Sequence, residues 1–230
     1  MRFRFGGVPR EQKEPSAEKE WYRIHSPSSR LGYLLAGLIG LALPNLLCAW
    51  LSAVSVFAAR NGVGEVSVET PVPWGPAILA LSLFIPIHEL IHALWHPRLG
   101  LSPQTVMVIW PAKLRFGVYY EGCMTRRRWL VMRIAPLVCL SGIPAGLLTL
   151  FRYVPTSFAL EVFLQVLMLV NGIGPGGDVL AVIWVLLQVP ARARICFCSG
   201  KAYWRSVPSS GKVGVSFRSS EEGDIRSSQQ

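Results

Sequence analysis

Acidic side chains are almost missing from the apolar part of this chain. The four long runs Leu31 to Ala59, Trp74 to Trp95, Trp129 to Phe151 and Phe158 to Pro190 hold only three carboxylates, Glu89, Glu161 and Asp178. Runs so poor in charge are not the half-polar helices of a soluble domain, and each is long enough to cross a hydrocarbon layer of roughly 30 Å. Other absences narrow the class further. The five cysteines show no spacing of a disulfide framework, which argues against a small stapled secreted domain. Cys196-Phe197-Cys198 has no second pair with which to hold a metal, so packing or lipidation beside a membrane is expected there. No nucleic-acid motif accompanies the net charge of +10, and an anionic membrane surface accounts for that charge instead. No internal repeat links the runs, which speaks against a transporter. A cleaved signal peptide is not expected either, because the first apolar run begins only at Leu31 and exceeds a signal core.

What is present fits an integral membrane protein. Hydrophobic residues make up 51% of the chain, above the usual share for a soluble domain. The expected fold is all-α, with four transmembrane helices over 31–59, 74–95, 129–151 and 158–190, the fourth broken, and a small β-hairpin between the second and third. Residues 1–30 read as a solvated N-terminal arm and residues 191–230 as a basic, disordered tail. Lys and Arg alternate from loop to loop. The arm holds Arg2, Arg4, Arg10, Lys13, Lys19, Arg23 and Arg30, the first loop only Arg60, the second Arg98, Lys113, Arg115, Arg126, Arg127 and Arg128, and the third only Arg152. The tail is again basic. Since cytoplasmic segments carry the excess, both termini and the second loop are expected in the cytoplasm of a bacterial cell, with the chain in its inner membrane. The lipid bilayer is then its first partner.

The chemistry centres on His88-Glu89-Leu90-Ile91-His92, inside the second run. Residues four apart on a helix project from one face about 6 Å apart along the axis, a spacing that suits two imidazole ligands of one zinc ion. Glu89 adjoins the pair and can take a proton from water without binding metal. Ionisable groups at membrane depth are costly unless a metal or polar cavity receives them. Asn171-Gly172-Ile173-Gly174-Pro175-Gly176-Gly177-Asp178 interrupts the fourth run. Broken backbone at that depth is tolerated where it lines a cavity or is buried in protein. Asp178 is the expected third ligand, with His96, at i+8 on the His88 face, as the alternative. Asp178 could also cap the following half-helix. Asn171 is a candidate catalytic residue whose amide would donate to an oxyanion or a substrate backbone.

With these two motifs the chain resembles the site-2-protease-like intramembrane zinc metalloproteases, which pair a membrane-embedded His-Glu-x-x-His with Asn and Asp in a later helix. Asn171 and Asp178 lie one position closer together than is usual there, and Val179 stands where a glycine is usual. The compact form, with the Arg-rich entry to the third span and Ala135-Pro136 within it, is more similar to a bacterial family of zincin peptidases. The resemblance spans residues 75 to 190. It implies proteolysis of membrane protein or peptide substrates, with Zn2+ on His88, His92 and Asp178 and Glu89 as general base.

Gln104 to Trp110 and Leu114 to Gly122, flanking Pro111-Ala112-Lys113, are the strands of the expected hairpin. Its free edge could take an extended substrate by strand addition. Arg126, Arg127 and Arg128 are expected to anchor the third span to lipid phosphates, and Arg133 to snorkel back to the same side. A membrane adaptor that keeps the zinc fold without turnover is the second reading.

Overall fold

The computed structural model describes residues 1–6, 21–25, 29–62, 73–111, 115–154, 156–198 and 201–206. The apolar runs become helices close to where hydropathy places them. Helix α1 covers Ser29–Arg60, α2 Trp74–Leu94, α3 Arg126–Leu137, α4 Ile143–Leu150, α5 Phe158–Ile173 and α6 Gly176–Gln188. A single π-helical turn, Val138–Gly142, joins α3 to α4, so that Arg126–Leu150 is one continuous apolar span. Three helices are long and apolar enough to cross a membrane, or four if the bent pair α5 and α6 counts as one span. That pair turns by 49° at Gly174-Pro175. Proline there has no N–H to give and cannot continue a helix from the preceding turn.

Helix α1 is lipid-like on almost every side. Leu34, Leu38, Leu41, Leu46, Trp50 and Phe57 are all exposed, an apolar surface larger than soluble proteins leave open to water. Its backbone comes closest to the rest of the bundle at the break between α5 and α6. A Cβ on Gly40 would lie 2.7 Å from the Ile173 carbonyl oxygen, and one on Gly176 would overlap the Ala36 carbonyl. These two glycines let the α1 backbone reach the backbone of the broken helix, as small residues do between membrane helices. Inside the bundle, Ala80, Leu140 and Leu167 pack with Phe84, Ile91 and Phe163 to fix α2 against α5 and the π turn.

The expectation of an all-α chain with one hairpin is corrected by two sheets. The first, in the order β1-β3-β4, uses Arg2–Phe5, Thr105–Trp110 and Arg115–Tyr120. Strands β3 and β4 are the expected hairpin, and the residues 112–114 of its turn lie outside the described part. Strand β1 pairs with β3 in parallel, Arg2 opposite Val106 and Phe5 opposite Ile109. Arg2 is further held by the Pro103 carbonyl and by an ion pair with Glu121. The second sheet, in the order β2-β7-β6-β5, uses Tyr22–Arg23, Lys201–Ser206, Ala193–Cys198 and Cys123–Thr125. Its buried face carries Met124, Ala193 and Ile195 against Met132, Val185 and Val189 of the helices. Thus parts of the N-terminal arm and of the tail are strands, those of the arm still exposed to solvent. Residues 207–230, the remainder of the tail, lie outside the described part.

The expectation of unpaired cysteines also fails at one place. Cys123 and Cys196 face each other across the β5 and β6 ladder and form a disulfide. Seventy-three residues separate them in sequence, and nothing local signals the pairing. Lipidation at Cys196 is thereby excluded in this state.

Candidate metal centre

One turn apart on α2, His88 and His92 are both buried, and their ring centroids lie 4.8 Å apart. Each imidazole is fixed through Nδ1. His92 Nδ1 lies 2.8 Å from the Met132 carbonyl, which can only accept, so Nδ1 of His92 carries the hydrogen. His88 Nδ1 lies 2.9 Å from Oδ1 of Asn171. Asn171 is itself oriented without ambiguity, because its Nδ2 donates to the Pro136 carbonyl at 3.1 Å and to Ser141 Oγ at 2.8 Å. His88 Nδ1 must therefore donate too. Both Nε2 atoms are left with lone pairs, and they face each other at 3.2 Å.

The third corner is Asp178 Oδ2, at 3.1 Å from His92 Nε2 and 3.4 Å from His88 Nε2. Asp178 lies in the first turn of α6, but Pro175 is the N-cap and no side chain caps the helix. The capping role considered for Asp178 is not realised; its carboxylate turns inward to the imidazoles. With both imidazoles neutral, three buried acceptors thus converge with no hydrogen between them. Left so, each would forfeit the roughly 1–3 kcal/mol that an unanswered buried polar atom costs. A cation removes that cost. Ligands at about 2.0–2.1 Å in a tetrahedral zinc site are separated by about 3.3–3.4 Å, and the observed edges of 3.1, 3.2 and 3.4 Å match that triangle. The residues fit a metal ion of zinc's size and preference, and the donor atoms of His88, His92 and Asp178 all lie within 4.8 Å of one another.

The other expected residues are placed as follows. Glu89 is half-buried beside the cluster, and its Oε2 accepts from the Val118 N–H of β4 at 2.8 Å. Asn171 is wholly buried, and its amide is used up by Pro136, Ser141 and His88. The substrate-donating role expected for it is corrected, because the π turn brings Ser141 over it and leaves no N–H to spare. It orients His88 instead. Replacing Asn171 by alanine is expected to weaken metal retention by about 10–100-fold, the usual cost of losing the group that fixes a ligating histidine; metal titration of the purified variant measures it. His96, the alternative ligand, is buried outside the cluster, beside the Tyr120 ring at 5.2 Å. Burial, with the nearby His92, Arg133 and Arg128, pushes its imidazole down to about 4.

Two arginines make contacts that the sequence does not announce. Arg128 donates to the Trp95 and His96 carbonyls at 2.6 and 2.8 Å, closing the C-terminal end of α2 where a positive charge suits the helix dipole. Arg133 does not snorkel away. Its Nη1 donates to Asp178 Oδ1 at 2.6 Å, while the guanidinium lies 5.3 Å from the centre of the Trp129 ring. It therefore holds the carboxylate oxygen that the imidazoles do not use. The rule that an ionisable residue within an apolar span is functional until shown otherwise would have found it.

These groups open on a cavity of about 550 Å3, lined by His88, Glu89, His92, Arg133 and Asp178 on one side and by β4 on the other. No curated protein matches the chain, and no solved structure does. A family model does match, over residues 81–194, which include every residue of the cluster as well as Glu89, Asn171 and Arg133. Over that segment the chain matches the family described as "Putative zincin peptidase".

Proposed function

We propose that the protein is a zinc metallopeptidase of the lipid bilayer, similar in plan to the site-2-protease-like enzymes, that hydrolyses peptide bonds of membrane proteins or peptides. The convergence of two imidazole lone pairs and one carboxylate, with the Glu89 carboxylate beside them and outside the donor set, carries this reading. His88, His92 and Asp178 would hold the zinc ion, which when bound acidifies water and polarises a carbonyl. Glu89 takes the proton of the attacking water and returns it to the departing amine, a service worth about 10²–10⁴ in rate. Arg133 keeps Asp178 turned to the site, and Asn171 does the same for His88. Strand β4 offers the substrate an edge on which a helical segment would have to unwind, exposing the peptide bond.

A panel of labelled membrane peptides, incubated with the zinc-loaded protein in nanodiscs, tests the reading. Cleavage that stops on Glu89→Gln supports it. Zinc held without any cleavage supports the adaptor instead, a reading favoured by the bond that ties Glu89 to Val118.

The charge pattern supports a cytoplasmic placement of both sheets in a bacterial inner membrane. Ser102 is buried, so the exposed Leu101 is the position for a topology probe. A cysteine placed there is expected to resist impermeant maleimide in intact cells; labelling from outside would reverse the orientation. Cytoplasmic thiols are kept reduced. Cys123 and Cys196 are accordingly expected as free thiols in cells alkylated before lysis and as a disulfide after exposure of the purified protein to oxidant, read by mass spectrometry.

A further inference from the structure

Among the described residues, strand β4 has one edge covered and one open. Its partner β3 lies on the covered side, and β1 closes the far edge of β3, so the open edge of β4 is the one that faces the cavity. The hydrogen bonds show which amides point there. Glu121 N–H, just past the strand, donates back to the Gln104 carbonyl across the hairpin, whereas Val118 N–H donates away from it to Glu89. Backbone groups of a strand alternate in direction with period two. Phe116, Val118 and Tyr120 therefore direct their N–H and C=O toward the metal cluster, while Gly117 and Tyr119 serve the hairpin.

The carboxylate oxygen of Glu89 thus sits where the carbonyl of an added strand would sit. It is turned to β4 and lies outside the group of donor atoms formed by His88, His92 and Asp178. A peptide that extends the sheet must take the Val118 N–H for itself. We propose that Val118 is a latch: an extended peptide segment docking on β4 replaces Glu89 at this N–H with one of its own carbonyls, and the freed carboxylate then serves the cluster. Peptides that cannot pair with β4 leave Glu89 held. The base is thus engaged only by an occupant that already lies along the cavity. This rests on the peptidase reading for its consequence, but the exchange itself is a binding event.

Binding is therefore the test. A fluorescein-labelled ten-residue Val- and Thr-rich peptide is titrated, by anisotropy, against the full chain in nanodiscs with zinc removed by chelator. Glu89→Ala, which leaves the Val118 N–H unoccupied, is expected to bind the peptide about tenfold more tightly than the wild-type chain, the scale of one hydrogen bond to a charged group. Glu89→Gln, whose amide oxygen still accepts, is expected to bind about as the wild type does. Val118→Pro removes the donor at an outward-facing edge position, where proline is tolerated, and is expected to cancel the gain when combined with Glu89→Ala. A copy of the peptide N-methylated at alternate residues is expected to lose most of its affinity. Equal or weaker binding by Glu89→Ala, or undiminished binding of the methylated copy, overturns the latch. Should Val118→Pro not fold, the Glu89→Ala and Glu89→Gln comparison decides alone. Absence of cleavage by the zinc-loaded wild type would refute the peptidase reading and leave the binding result to stand by itself.

Discussion

Glutamine at position 89 is expected to leave the metal in place and to lower peptide cleavage by at least about 10²–10⁴-fold. The separation of the two effects is the informative part. Glu89 touches the Val118 N–H and none of the three atoms that would bind metal, so its replacement removes a proton carrier and not a ligand. Glutamine keeps an oxygen for Val118, which guards against a rearranged β4 as the cause of lost turnover. Zinc content by mass spectrometry and the rate on the same preparation check both halves. Zinc loss in parallel with activity would make Glu89 a ligand and would break the assignment of roles.

Alanine at position 178 is expected to do the reverse: metal retention fails first, and activity fails because of it. Two neutral imidazoles bring no charge to a divalent ion in a low-dielectric site, and the Asp178 carboxylate is the anion the cluster provides. Loss of affinity should exceed the roughly 10–100-fold that accompanies removal of a supporting hydrogen bond. Asp178→Asn is expected to fall between, since its amide oxygen can still ligate. Glu161, in the first turn of α5 and half-buried, is the control carboxylate; Glu161→Gln should retain zinc as the wild type does. Arg133→Gln should weaken retention less than Asp178→Ala, because it frees one carboxylate oxygen without removing the other. Competition with a fluorescent chelator ranks the four.

Much of the helical part could be read in advance because its cause is local. An apolar run of the right length with glycine and proline at one point dictates a span and a break wherever the chain meets lipid, and α2 and the bend before Gly176 fell where this places them. The sheets could not be read so. Arg2–Phe5 alternates arginine with phenylalanine and pairs with residues about a hundred positions away, and β6 and β7 are short, basic strands that look like tail. Strand pairing is set by neighbours that no short window contains. The metal cluster was legible from charge scarcity, since an acid or imidazole inside an apolar run needs a partner. Arg133 obeys the same rule, but its place near the start of its span makes the membrane surface an equally natural partner. The role of Asn171 depends on the π turn that carries Ser141 across it, and no residue pattern announces that turn.

The zinc K-edge absorption spectrum of the purified wild-type protein tests the central claim most directly. The account predicts two imidazole nitrogens and a carboxylate oxygen at about 2.0–2.2 Å, with no sulfur scatterer near about 2.3 Å. A sulfur shell, drawn from the chain's cysteines, or a protein that binds no zinc at all would contradict it.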